Sequence, residues 1–194
     1  MAQSGDISIQ QLSAVGEEDA QYVVSLFKSV SGFPKEGILF RDFLPVLADP
    51  RGLSIISDAL LRALPVSPDE FDAVAGLEAR GFLIGPQIAS SLGKGFIALR
   101  KSGKLPPPTL SQEYSLEYGT ATIEMETDSV KPGERVLVVD DLIATGGSAQ
   151  AAAKLIEQAG GEVAGFSFVM ELEGLDGCEV LSNYPLSTLV SMPA

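Results

Sequence analysis

The sequence predicts an α/β protein with a mostly parallel central sheet flanked by helices. Three observations carry this. Short apolar runs alternate with segments of helical periodicity along the chain. The run Val136 to Val139 sits between the breakers Pro132-Gly133 and Asp140-Asp141, as a short buried strand would. A length of 194 residues suits one full-sized domain, or a domain with a small lid.

The elements follow in order. Asp19 to Val30 reads as a helix, with Tyr22, Val23, Leu26, Phe27 and Val30 on one face; Gly32-Phe33-Pro34 ends it. Asp49-Pro50 offers a cap and a first turn to a second helix, whose face is marked by Leu53, Ile56, Leu60 and Leu64. Phe71 to Leu77 is a strand, Gly81 to Leu92 a helix and Phe96 to Leu99 another strand. Between Lys101 and Gly119, Gly103 and Pro106-Pro107-Pro108 argue against regular structure, while Tyr114 to Met125 alternates around Tyr118-Gly119 like a hairpin. Val136 to Val139 is followed by a helix over Gly147 to Ala159. Ala151, Ala152, Leu155 and Ile156 face inward there, and Gly160-Gly161 stops the helix. Val163 to Met170 and Leu186 to Val190 complete the strands. Helices on both faces of such a sheet leave the ligand site beyond the carboxyl ends of the strands.

Composition narrows the chemistry. Hydrophobic residues make up 45% and charged residues 20%, which is ordinary for a globular protein. A net charge of −13 opposes a nucleic-acid or anionic-membrane surface, which needs a basic face. The single cysteine, Cys178, excludes an internal disulfide framework and reads as a core filler in a reducing compartment. No apolar run approaches the ~18 residues of a membrane span, and Met1 to Gln11 is polar, so the cytoplasm is the expected location. The absence of histidine removes imidazole bases, Ser-His-Asp triads and histidine-ligated zinc. Catalysis must rest on carboxylates, Lys, Arg, Tyr, backbone amides or a hard metal.

Asp140-Asp141-Leu142-Ile143-Ala144-Thr145-Gly146-Gly147-Ser148 lies between a strand and a helix. Small residues let the backbone approach a ligand, two hydroxyls are available, and the helix aims free amides and its positive end at an anion. The run is a phosphate cradle without the Gly-Lys-Ser/Thr ending of a Walker loop. Two acids beside a phosphate make sense if they bind sugar hydroxyls or a cation.

This run resembles the phosphoribosyl pyrophosphate signature of the type I phosphoribosyltransferase family, with Ser148 where many members carry Thr. The resemblance implies that family's fold: a single domain over 1–194, with an N-terminal hood and base-binding segment over about 1–45 and a flexible lid over 101–119. It also implies Ala144 to Ser148 on the 5′-phosphate and Asp140 and Asp141 on the ribose. Further segments are similar to the adenine-specific members over roughly residues 33 to 170. Phe33-Pro34 and Gly37 to Asp42 resemble their base-binding segment, implying that Leu39 and Arg41 contact adenine through backbone groups while Phe40 stacks. Read without the resemblance, Phe40 could be core and Arg41–Asp42 a surface pair.

Arg80, in Gly76-Leu77-Glu78-Ala79-Arg80-Gly81, stands at a strand end, placed for a pyrophosphate or, blandly, for a surface Glu78–Arg80 pair. The family resemblance implies a cis peptide between Glu78 and Ala79. Lys94 to Lys104 holds four basic residues and no acid; Arg100, Lys101 and Lys104 are the expected pyrophosphate cations, against the alternative of a solvated basic face. Tyr114-Ser115-Leu116-Glu117-Tyr118-Gly119 resembles the catalytic lid. Glu117 is then the general acid/base, with its pKa raised by lid closure, and Tyr118 helps close the site; the alternative is a glutamate exposed on a hairpin. The implied reaction is adenine plus phosphoribosyl pyrophosphate giving AMP and pyrophosphate. Mg2+ would be carried mainly by substrate and waters rather than by direct protein ligands, and the enzyme would be a homodimer with Arg80 and Lys101 near the interface. The same chemistry on hypoxanthine, guanine, xanthine or orotate, a non-catalytic sensor of phosphoribosyl pyrophosphate, and a purely structural domain are the competing readings.

Overall fold

The computed structural model describes residues 4–115 and 119–194. The N-terminal part comprises β1 (Ser8–Ile9), α1 (Glu17–Leu26), β2 (Lys28–Ser31), β3 (Leu39–Asp42), α2 (Leu44–Ala48) and α3 (Pro50–Arg62). The body follows as β4 (Ala73–Leu77), α4 (Gly81–Ser91), β5 (Gly95–Lys101), β6 (Thr109–Ser115), β7 (Thr120–Glu126), β8 (Arg135–Ile143), α5 (Gly147–Gln158), β9 (Glu162–Glu173), α6 (Gly177–Val180) and β10 (Leu186–Pro193). The main sheet runs β1-β10-β9-β8-β4-β5-β7-β6. Its middle, from β10 to β5, is parallel; β1, β7 and β6 are antiparallel additions at the edges.

Period-two alternation sorts the core into two layers. Val74, Leu137, Val139 and Val169 face α1, α3 and α4, where Val23, Ile56, Leu60, Ile84 and Ile88 meet them. Ala75, Val136, Val138, Phe166 and Phe168 face α5, where Ala152, Leu155 and Ile156 meet them. Each such Val, Leu or Ile contributes about 1.5–3 kcal/mol of transfer free energy when buried. Helices on both faces bear out the expected layers. Asp49 caps α3 by accepting the Gly52 amide at 2.7 Å, with Pro50 in the first turn.

Three of the differences from the expected boundaries have a clear physical cause. The first helix ends at Leu26; Val30 belongs to β2, opposite Phe40 of β3. Helical spacing carried the apolar stripe one turn too far, because a short antiparallel pairing captures Lys28 to Ser31 instead. Strand β8 continues through Asp140 and Asp141 to Ile143, because parallel pairing with β9 reaches Ile143↔Glu171. Among the described residues that follow β5, 102–108 are irregular, whereas Thr109 to Ser115 is a regular strand, paired along its whole length with β7.

Candidate active site

Strands β4, β5 and β8 are adjacent and parallel, so their carboxyl ends bring Glu78 to Arg80, Arg100 to Lys104 and Asp140 to Ser148 together. A cavity of about 240 Å³ is lined by Arg80, Asp140, Asp141 and the run Leu142 to Ala149, with Tyr114 and Ser115 closing one side and Phe168 another. A second cavity, about 270 Å³, shares Arg80, Asp140 and Asp141 and adds Glu78, Ala79 and Lys101.

The loop has the shape its sequence implies. Gly146 takes φ +77°, a left-handed conformation that turns the chain into α5, and the first-turn amides of α5 lack intrahelical acceptors. Behind the loop stands α6. A Cβ on Gly146 would lie 2.9 Å from the Gly177 carbonyl oxygen, and a Cβ on Gly177 would overlap the Ala144 carbonyl. Gly177 therefore supports the cradle from behind, a role no local motif announces. In front, a Cβ on Gly147 would lie 3.1 Å from the Ser115 carbonyl oxygen and 3.5 Å from the Tyr114 ring. Bulk at 147 would therefore press on the hairpin strand, so a glycine there also seats β6.

Asp141 is buried, and its Oδ2 stands 2.5 Å from Arg80 Nε. Arg80 thus pairs with Asp141, not with Glu78. Asp140 Oδ1 accepts the Asp141 amide at 2.9 Å. Burial, and then the negative charge of Asp141, pushes the Asp140 carboxyl well above the ordinary carboxylate range. Burial raises Asp141 as well, with the Arg80 guanidinium opposing. Tyr114, half-buried over the loop, is raised by burial and by the charge of Asp140.

The cations divide into two groups. Glu78 accepts Lys104 Nζ at 2.7 Å and the Lys101 amide at 3.0 Å, and Arg100 Nε lies 3.4 Å away. Arg100 Nη1 also donates to the Lys104 carbonyl at 2.9 Å. Lys104, then the Lys101 amide and Arg100, hold the Glu78 carboxyl down to about 2. Lys94 belongs elsewhere. Its Nζ donates to the Phe71 carbonyl at 2.6 Å and sits over the Phe71 ring. Six residues of extended chain place it roughly 20 Å from Arg100, which corrects the reading of Lys94 to Lys104 as one cluster. The peptide between Glu78 and Ala79 is cis, as the resemblance implied.

Leu39, Phe40 and Arg41 form β3, paired with β2 in a separate two-stranded sheet. The half-buried Phe40 ring meets Phe33 edge-on at 5.1 Å, with the Arg80 guanidinium 6.0 Å from its centroid. Arg41 is buried and paired with Asp6, so the alternative of an Arg41–Asp42 surface pair does not hold. Glu117 and Tyr118, expected in the lid, lie outside the described residues. Cys178 is half-buried rather than core; burial, reinforced by Glu171, pushes its thiol up to about 12, which keeps it protonated and unreactive.

A family model described as a phosphoribosyl transferase domain matches residues 48–180. The chain is 66% identical over 194 residues, all of both sequences, to an adenine phosphoribosyltransferase of Bifidobacterium longum. Among solved structures, an adenine phosphoribosyltransferase of Thermoanaerobacter pseudethanolicus aligns with a TM-score of 0.85 at 44% identity, covering 89% of this chain and 99% of that one. One from Saccharomyces cerevisiae, complexed with an imino-altritol bisphosphate and adenine, aligns with a TM-score of 0.81 at 42% identity, covering 89% and 98%. A strand-to-helix glycine loop following two adjacent acids, in a parallel sheet with this length of match, places the chain in the phosphoribosyl transferase family, among the adenine phosphoribosyltransferases.

Proposed function

We propose that this chain transfers the 5-phosphoribosyl group of phosphoribosyl pyrophosphate to adenine, giving AMP and pyrophosphate. The carrying observation is the pair of adjoining cavities that share Arg80, Asp140 and Asp141. One offers the phosphate loop and the other the cations, which matches a ribose bearing a phosphate at one end and a pyrophosphate at the other.

The chain's residues then divide the work. Amides from Ala144 to Ser148 hold the 5′-phosphate, and the carboxylates of Asp140 and Asp141 accept the ribose hydroxyls. The bond from C1′ to pyrophosphate oxygen breaks as the bond from C1′ to the purine nitrogen forms. Negative charge beneath the ring favours the oxocarbenium-like state between them. Arg80, Arg100, Lys101 and Lys104 take up the departing charge; Arg100 and Lys104 must loosen from Glu78 to do so. Leu39 and Arg41 present backbone groups to the base edge, and Phe40 presents its ring. Glu117 handles the purine proton, and Tyr118, with the lid over residues 101–119, excludes water that would otherwise compete as nucleophile.

Magnesium fits this site as part of the substrate complex. Among the described residues no group of three or more His, Cys, Asp or Glu side chains converges into a cage, while Asp140 and Asp141 face an open cavity where substrate oxygens and water could complete a shell. Bound with the substrate, the ion neutralises pyrophosphate charge. A homodimer is proposed with this reading; the exposed Phe33, Leu44 and Leu83 support an apolar contact between copies. Among the described residues no helix is long and apolar enough to cross a membrane, which is compatible with the expected cytoplasmic location.

The test is a competition. The protein is incubated with phosphoribosyl pyrophosphate, magnesium and equimolar adenine, hypoxanthine, guanine, xanthine and orotate, and the nucleotides are separated. AMP alone is expected. Another nucleotide would keep the chemistry and overturn the base; no nucleotide, with tight phosphoribosyl pyrophosphate binding by calorimetry, would favour a sensor.

A further inference from the structure

The β2–β3 hairpin carries the proposed base wall, yet no other strand pairs with it among the described residues. A two-stranded hairpin is marginal by itself, so something else must fix Leu39 and Phe40. The Arg41 side chain, which is 2% exposed, ties the hairpin to the rest of the molecule. Its Nη1 donates to Ser29 Oγ at 2.8 Å, across the hairpin from it. Its Nη2 donates to Asp6 Oδ2 at 2.6 Å and to the Pro193 carbonyl at 3.0 Å. One guanidinium thus fastens the hairpin to the segment before β1 and to the last residue of β10.

We propose that Asp6 and Arg41 form a clamp that sets the position of the base wall, making Asp6 a positioning residue for the purine although it lines neither cavity. The physical case rests on burial and alternation. A buried guanidinium needs partners, and Arg41 Nε makes no hydrogen bond among the described residues, so its stability falls on these three contacts. Asp6 is the charged one, and Arg41 in turn holds its carboxyl below the usual range. Removing Asp6 leaves a buried cation with neutral acceptors only. The cheapest relief is to let the guanidinium reach water, and that pulls β3 out of place. Neighbouring residues of a strand point to opposite sides, so a shift at Arg41 moves Phe40, whose ring lies against Phe33 and near Arg80. The phosphate loop and the Glu78 cations hang on other strands and stay put.

This inference rests on the reading of Leu39 to Arg41 as the base wall, and its test separates the two. Asp6→Ala, Asp6→Asn and Asp6→Glu are made in the full chain; the Asp6 side chain is 38% exposed, so all three should fold. Steady-state kinetics are read for each substrate, and hydrogen exchange is followed by mass spectrometry over residues 28–42 and 136–158. For Asp6→Ala the expected result is an adenine KM raised about fivefold or more, with the phosphoribosyl pyrophosphate KM within about twofold. Exchange should be faster over 28–42 and unchanged over 136–158. Asp6→Asn should fall between, and Asp6→Glu should restore adenine KM. Unchanged exchange over 28–42 would overturn the clamp. Faster exchange with unchanged adenine KM would overturn the positioning role, and so would both KM values rising together. If the wild-type chain failed to use adenine while Asp6→Ala still loosened 28–42, the clamp would stand and the base assignment would fall.

Discussion

The guanidinium of Arg80 and the carboxylate of Asp141 meet at 2.5 Å, joining the ligand-bearing ends of two neighbouring parallel strands, β4 and β8. The contact ties a proposed pyrophosphate residue to a proposed ribose residue. Replacing Arg80 must therefore do two things. Arg80→Gln is expected to lower kcat/KM for phosphoribosyl pyrophosphate by roughly 10²-fold or more, through lost charge neutralisation. It should also lower Tm by several degrees, because Asp141 is left buried and charged without its partner. Adding Asp141→Asn should recover Tm but not activity. Steady-state kinetics and calorimetry read the two effects separately, and an unchanged kcat/KM would remove Arg80 from the substrate site.

The loop proposed to hold the 5′-phosphate is held from two sides, by Ser115 at Gly147 and by Gly177 at Ala144. Gly147→Ala and Gly177→Ala each force an overpacking worth about 1–3 kcal/mol. Both should raise the phosphoribosyl pyrophosphate Kd by about tenfold with adenine recognition little changed. Gly147→Ala should in addition loosen the hairpin, seen as faster hydrogen exchange over 109–115. Titration calorimetry with phosphoribosyl pyrophosphate and magnesium decides; wild-type affinity in Gly177→Ala would mean that α6 does not shape the cradle.

Glu117→Gln should lower kcat by ~10²–10⁴-fold while phosphoribosyl pyrophosphate affinity stays near wild type, because only the proton step is touched. Single-turnover kinetics measure this directly. Equal turnover would take Glu117 out of the chemistry and leave the purine proton to solvent.

Glu78 gives a pH prediction. Its carboxyl is held at about 2, below the ordinary 4.5, so the fold favours the charged form. The stability it contributes is complete above the ordinary value and falls away as pH drops from about 4.5 toward about 2. Glu78→Gln should therefore be less stable than wild type at pH 6 to 7, with the gap in Tm narrowing as the solution is acidified below about 4.5. A gap that is constant from pH 7 to pH 3 would show that the Lys104 and Arg100 contacts do not set the ionisation of Glu78.

Much of this architecture is written locally. The apolar run Val136–Val139, the glycines after it and the spacing of Ala151, Ala152, Leu155 and Ile156 define β8, the loop and α5 without outside help, because each element is buried along a face that its own period reveals. Lys28 to Ser31 is different. Lys-Ser-Val-Ser has little strand character, and only the partner β3 makes it a strand, so an apolar stripe ending at Val30 looked helical. The same distinction governs the site. The cradle, the paired acids and the cations at the end of β5 are contiguous in sequence and could be read there. Arg80 on Asp141, Glu78 on Lys104 and Asp6 on Arg41 join residues 61, 26 and 35 positions apart, and a single sequence carries no signal for which charge meets which. Lys94 and Arg100 show the converse, since neighbours in sequence were separated by the length of a strand.

The hairpin β6–β7 adds one last point. It joins the sheet through a short ladder, Arg100↔Glu124 and Lys101↔Ile123, extended by the Ser102 amide on the Thr122 carbonyl. In mechanical terms this ladder is a hinge pin, and its β5 half consists of the residues proposed to grip pyrophosphate. Glu124 fastens the next turn by accepting Ser102 Oγ and the Gly103 amide. At the far end of the lever, Tyr114 and Ser115 rest on the phosphate loop. On the proposed roles, an anion held by Arg100 or Lys101 pulls on the same piece of chain that carries Tyr114 and Ser115 over the loop, so door and handle would be one.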